Sequence, residues 1–311
     1  GAGEVPGRQR PSTPALGRAP SSDHLIWEVR SDASLGRVSF DGRYIPFLSN
    51  NDERGQLLDG RELFVRDGQS GAIRRLTTSA GDRGATNEAA PGDDWCVCAF
   101  SRDARQLAYV WWTYAPRGQR GSSWRAELRI LRLDRPALEP PRVAFPGDEN
   151  TWIEPSDWTP DGRWIAAQIF DRPTATARIA LVSSETGIPR VLKTLPADRL
   201  NGSLALSSDG RYLAAMVRED DSIDSDILLL DTRDGREVLA VARPGDDMLV
   251  GWAPSGDGLL FTSRRSGSAD LWIIPIVNGR PGTARMLKPG FGHSGQVGVT
   301  AAGMLFHQVR F

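Results

Sequence analysis

Six times along this chain an apolar run stops at a short polar turn built from Ser or Thr, Asp and Gly, and then resumes as a second apolar run. The copies are Ser39-Phe40-Asp41-Gly42-Arg43, Ser101-Arg102-Asp103-Ala104-Arg105, Thr159-Pro160-Asp161-Gly162-Arg163, Ser207-Ser208-Asp209-Gly210-Arg211, Pro254-Ser255-Gly256-Asp257-Gly258 and, most degraded, Thr300-Ala301-Ala302-Gly303-Met304. Counted at Gly42, Ala104, Gly162, Gly210, Gly256 and Gly303, the intervals are 62, 58, 48, 46 and 47 residues. A repeated unit of about 40–50 residues is the length of one four-stranded propeller blade. The expected fold is therefore all-β, a six-bladed β-propeller of four-stranded blades.

The segments between the turns support that reading. Gln106–Trp112, Glu127–Leu133, Trp164–Phe170, Tyr212–Val217, Asp226–Leu230, Leu259–Ser263 and Leu271–Ile276 alternate or run apolar over strand lengths. An Asp followed by Gly supplies a side-chain acceptor and a permissive φ, so the Asp-Gly pairs read as structural. The sixth unit stops at Phe311 with its outer strands unaccounted for, so it reads as an incomplete blade in a protein that extends further. Propellers close by borrowing a strand from the other terminus, and Leu25-Ile26-Trp27-Glu28-Val29 is the expected N-terminal donor.

Length and charge set limits on the rest. A chain of 311 residues buries enough surface to need neither disulfide nor metal for stability. Its net charge of −1 argues against nucleic acid as a partner, because neutralising phosphates takes a basic surplus. No apolar run is long enough to span a bilayer as a helix. Residues 1–22, rich in Pro, Gly and Arg, read as a disordered linker and 23–311 as a single domain. Gly1 in place of a methionine reads as a processed product or a fragment, tethered through that linker.

Ile153-Glu154-Pro155-Ser156-Asp157-Trp158-Thr159-Pro160-Asp161-Gly162-Arg163, Asp270-Leu271-Trp272-Ile273-Ile274-Pro275 and Arg74-Arg75-Leu76-Thr77 together resemble the TolB-type (PD40, WD40-like) propeller repeat. The resemblance covers about residues 25–311. It implies a platform that binds a protein, a peptide or a small ligand, commonly exported to the periplasm or beyond and commonly one module of a longer bacterial protein. The smaller N-terminal domain of TolB has no counterpart here, so its lipoprotein partner is not carried over.

Catalytic motifs are weak. Gly292-His293-Ser294-Gly295-Gln296 has Gln where a nucleophile elbow needs its last Gly, and it lies in a repeat connection. None of the three histidines has a metal-motif neighbour. Cys96 and Cys98 sit two apart on an inner strand, where about 6.6 Å of strand rise keeps side chains parallel, so they read as reduced and packed.

Topology supplies the candidate site. Loops entering the inner strands crowd one channel mouth, bringing together Asp94, Glu154, Asp157, Asn201, Asp247 and His293, with Asp32, Asp93 and Asp246 beside them. Converging carboxylates raise one another's pKa unless a cation compensates, and Ca²⁺ or a basic peptide is the natural complement. The same residues also read as ordinary solvated loop carboxylates. No cofactor is required for the binding reading. Its alternative is a propeller hydrolase or lyase using a cation-dependent acidic mouth. A second candidate is the insertion after the second unit's long strand, where Trp112, Tyr114, Arg117, Arg120 and Trp124 are expected to anchor a partner. Trp158 and Trp252 fall at a repeat position and are expected to pack between blades.

Overall fold

The computed structural model describes residues 27, 33–52, 54–78, 85–86, 96–114, 124–135, 139–218, 224–241, 245–292 and 296–307. The described chain is antiparallel β-structure with one 3₁₀ turn at Ala197–Arg199. Sheet 1 holds β1 (Ser34–Leu35), β2 (Tyr44–Asn51), β3 (Leu57–Asp67) and β4 (Ile73–Arg75). Sheet 2 holds β5 (Ala85–Thr86), β6 (Cys98–Phe100), β7 (Gln106–Tyr114), β8 (Trp124–Arg132) and β9 (Arg142–Phe145). Sheet 3 holds β10 (Thr151–Trp158), β11 (Trp164–Asp171), β12 (Thr176–Ser183) and β13 (Pro189–Pro196). Sheet 4 holds β14 (Leu200–Leu206), β15 (Tyr212–Arg218), β16 (Ser225–Asp231) and β17 (Glu237–Val241). Sheet 5 holds β18 (Met248–Trp252), β19 (Gly258–Ser263), β20 (Asp270–Val277), β21 (Arg280–Pro281) and β22 (Arg285–Lys288). The last sheet pairs β23 (Gln296–Val299) with β24 (Leu305–His307).

One backbone turn joins the first two main strands of every sheet, the amide of its fourth residue donating to the carbonyl of its first, which in sheet 5 is Ala253, and a side-chain bond reinforces it in sheets 1 to 4. In sheet 3 the Thr159 hydroxyl donates to Asp161 at 2.5 Å, and the amides of Arg163 and Trp164 donate back to Asp161 and Thr159 at 3.0 Å each. Sheets 1, 2 and 4 repeat the hydroxyl-to-carboxylate bond at Ser39–Asp41, Ser101–Asp103 and Ser207–Asp209. The fourth turn residue is left-handed in every copy, with φ of 76°, 55°, 70°, 71°, 75° and 79° at Gly42, Ala104, Gly162, Gly210, Gly256 and Gly303. Only Ala104 holds that conformation with a Cβ, which is strained.

Apolar faces of neighbouring sheets make the core. Trp158 is fully buried and donates its indole N–H to the Ala99 carbonyl of sheet 2 at 2.9 Å. Trp252 does the same toward Ala205 of sheet 4 at 3.0 Å. Both tryptophans therefore pin one sheet to the preceding one, combining apolar burial with a satisfied polar edge. The last sheet meets the first, because the Ala301 amide donates to the Phe40 carbonyl at 2.7 Å.

Cys96 lies ahead of β6, and its sulfur converges on that of Cys98 at 3.0 Å, so the parallel arrangement expected for an unbroken strand is not adopted. Both are buried free thiols, and the Cys96 contact and burial push the Cys98 thiol well above its ordinary range. Of the N-terminal donor segment only Trp27 is described, and its ring meets Phe47 edge-on at 5.1 Å. Residues 1–22 lie outside the described residues.

Candidate functional site: a small central channel

The innermost strands β10, β18 and β23 carry a register irregularity close to the turn, between Pro155 and Asp157, Leu249 and Gly251, and Gln296 and Gly298. In each case the extra residue stands three positions before the first turn residue. Such a bulge bends the strand and re-aims the next side chain. That next position, two before the turn, is Arg37, Ala99, Asp157, Ala205, Gly251 and Gly298 in sheets 1 to 6. The first five border one cavity of about 60 Å³, together with Val299 beside Gly298. Four of the six positions end at Cα or Cβ, which leaves open space between the inner strands.

Its charges come from three groups. Arg102, on the turn of sheet 2, donates to the Asp157 carboxylate at 3.2 Å, to the Leu206 carbonyl at 3.1 Å and to the Trp158 carbonyl at 3.3 Å. Its guanidinium also covers the Phe40 ring at 4.6 Å. Asp157 accepts in addition from the amides of Leu206 and Trp158, at 2.9 and 2.8 Å. Arg37 reaches across to the Leu204 carbonyl at 3.1 Å. Burial holds the Arg37 guanidinium below its ordinary range, Asp157 pulls it up, and Arg102 pushes it down. These contacts tie sheets 1, 2, 3 and 4 together through the channel.

The acidic mouth expected from sequence is arranged differently. Asp157 belongs to the turn end of the channel, while Asp247 precedes β18 at the opposite end. Asp247 is fully buried and bonded to Arg265 at 2.8 Å. Burial raises its carboxyl above the ordinary range against the pull of Ser263 and Arg265. Glu154, between the two ends, accepts the Trp152 indole N–H at 3.2 Å. Among the described residues, no three His, Cys, Asp or Glu side chains gather in a way that holds a metal ion. Asp94 and His293 lie outside the described residues, and for Asn201 only the backbone is described.

On the second candidate surface, Trp112 is buried, 3 % exposed, in a cluster with Val110 and Ala126. Its ring faces the core and is withdrawn from solvent. Tyr114 and Trp124 face each other as backbone partners at the end of the β7–β8 hairpin. Arg117 and Arg120 fall in the connection between them, outside the described residues. Sequence reasoning missed Arg37 and Arg102. The signal was present as a register, since reading the residue two before each turn gives one Arg, one Asp and four Ala or Gly.

No family model and no curated protein matches this sequence. Solved structures do. A protein assigned as TolB from Agrobacterium tumefaciens superposes with a TM-score of 0.58 at 15% identity, covering 91% of this chain and 91% of that one. The fold is a TolB-like β-propeller. A protein assigned as a dipeptidyl aminopeptidase IV from Bacteroides ovatus gives a TM-score of 0.57 at 12% identity, covering 88% of this chain and 42% of that one. An oligogalacturonate lyase in complex with manganese gives 0.53 at 15% identity, covering 88% and 70%. One TolB-like propeller thus recurs in proteins with different names, and at these identities the likeness is one of fold. No helix among the described residues is long and apolar enough to cross a membrane.

Proposed function

We propose that this chain is a six-bladed, ring-closed propeller acting as a non-catalytic module that binds a protein, a peptide or a small ligand. It works in the periplasm or outside the cell. The observation that carries the reading is the use of the channel carboxylates. Asp157 is ion-paired to Arg102 of the neighbouring sheet, and buried Asp247 is ion-paired to Arg265 of its own sheet, so the charge of each carboxylate is taken up by an arginine. A general acid, a general base or a cation ligand needs a carboxylate facing the reacting group. Ring closure is supported by the Ala301–Phe40 bond and by a cavity bordered by all six sheets. The recognition surface is assigned to the β7–β8 hairpin, through Tyr114, Arg117, Arg120 and Trp124.

The second reading, a hydrolase or lyase with a cation at the acidic mouth, draws on one observation, the raised carboxyl of Asp247. A thermal-shift titration with Ca²⁺, Mg²⁺ and Mn²⁺ against a chelator separates the two, because a ligand that prefers the folded state raises the melting temperature. The binding reading predicts no ion-specific shift. A saturable, ion-specific rise that Glu154→Gln and Asp247→Asn abolish would overturn it in favour of the second.

A further inference from the structure

The six channel positions are unequal in a telling way. Arg37 is the only cation among them, and its stem lies where sheet 6 has no side chain, since a Cβ on Gly298 would stand 2.9 Å from the Arg37 Cγ. Sheet 6 thus leaves a seat for this arginine. Its one hydrogen bond is to the Leu204 carbonyl, and among the described residues no carboxylate lies within 4.0 Å of it. The nearest candidate, Asp157, is taken up by Arg102 and by two backbone amides. A guanidinium carries five N–H donors in a planar fork, and Arg37 borders the cavity with one of its nitrogens bonded to the protein. Arg37 is half-buried at the cavity, where a charge-assisted bond to an anion is stronger than in open water.

We propose that the central channel is a receptor for a single carboxylate, gripped by the Arg37 fork and entering from the turn face. The charge count selects the class. Arg37 and Arg102 against Asp157 leave one net positive charge among the lining residues, which a monoanion neutralises and a dianionic phosphate or sulfate exceeds. The size agrees, because about 60 Å³ has room for a few water molecules or a carboxylate with a short stem. The walls agree as well. Phe40, Trp252, Val250 and Val299 offer apolar surface to the carbon end of such a ligand, and half-buried Phe40 with exposed Ser208 and Pro254 marks the open side. This inference rests on the binding reading and names the chemistry that its channel accepts. A peptide C-terminus, an acidic side chain and a free short-chain acid share that chemistry.

The test is a melting-temperature and calorimetric titration of the whole chain in low-chloride buffer. The probes are acetate, a short N-acetylated peptide with a free C-terminus, the same peptide amidated, and an amidated version containing Asp. Sulfate at matched ionic strength is the control. Saturable stabilisation is expected with half-saturation at about millimolar acetate, the range open to so few atoms. Whichever peptide binds identifies the source of the carboxylate. Arg37→Met is expected to fold, with a melting temperature lowered by the loss of the Leu204 bond, and to weaken binding at least tenfold, while Arg37→Lys keeps the charge, loses the fork and binds at an intermediate level. Should Arg37→Met fail to fold, the Arg37→Lys comparison alone decides. Absence of saturable stabilisation by any carboxylate, equal binding by the arginine variants, or stronger binding of sulfate would each overturn the proposal. A flat carboxylate titration together with a flat metal titration removes the channel receptor and leaves the binding reading standing.

Discussion

The two ends of the inner strands are built on opposite principles. At the turn end, one hydrogen-bonded turn recurs with little change, and its six left-handed residues differ in φ by 24° or less. At the entry end each connection is its own solution, from the buried Asp247–Arg265 pair to the long β7–β8 hairpin. Uniformity at one end sets the register, so that a single position per sheet faces the channel. Variety at the other end leaves room for recognition, since loops on a rigid scaffold change at little cost to the core.

The comparison is broken most strongly at the tryptophan that joins sheets beside the turns. Trp158→Ala removes a fully buried indole and its bond to Ala99, and is expected to lose about 3–5 kcal/mol in urea unfolding. A loss below 1 kcal/mol would mean that sheets 2 and 3 do not depend on that contact. Next comes Asp157→Ala, which takes the carboxylate from Arg102 and the acceptor from the Leu206 and Trp158 amides and is expected to lose about 2–3 kcal/mol by the same measurement.

Acid acts more gently and sharpens the contrast, because the turn carboxylates repeat. Burial raises Asp161 and Asp209, yet the hydroxyls of Thr159 and Ser207 and the amides of Arg163 and Arg211 outweigh it and hold both carboxyls below the ordinary range. A depressed carboxyl lends stability that is complete above its unfolded value, near pH 4, and is lost as pH falls through the folded value. The melting temperature should therefore drop below about pH 4, with a shallower drop in the Asp161→Asn/Asp209→Asn variant. An unchanged acid profile would show that the turns do not set acid stability. Smallest of all, Trp124→Ala combined with Arg117→Ala and Arg120→Ala should change stability by less than about 0.5 kcal/mol while abolishing partner capture by the hairpin. Retained capture would move the recognition surface elsewhere.

Much of the fold was legible because turn chemistry is local. The sequence reading of Tyr212–Val217 meets a strand at Tyr212–Arg218, and that of Asp226–Leu230 meets Ser225–Asp231. The repeat position of Trp158 and Trp252 correctly placed them between sheets. The site was less legible for a physical reason. A strand of alternating residues does not show from which end its side chains reach the channel, so Asp157 and Asp247 looked like neighbours although they stand at opposite ends. Trp112 looked like an anchor because exposure on a long hairpin depends on sheet packing, and its ring turns inward. The bulge that sets Asp157, Gly251 and Gly298 at the cavity leaves no mark in composition, only in the count back from each turn.

The central claim is that sheet 6 closes on sheet 1, so that all six turns face one channel. Ala301→Pro tests it directly. The equivalent turn position is already proline in sheets 3 and 5, at Pro160 and Pro254, so the substitution suits the turn and removes only the N–H that bonds Phe40. Urea unfolding followed by tryptophan fluorescence should show a single transition moved to lower midpoint, a loss of about 1 kcal/mol. An unchanged or higher midpoint, as a proline in an unconstrained turn produces, would contradict closure.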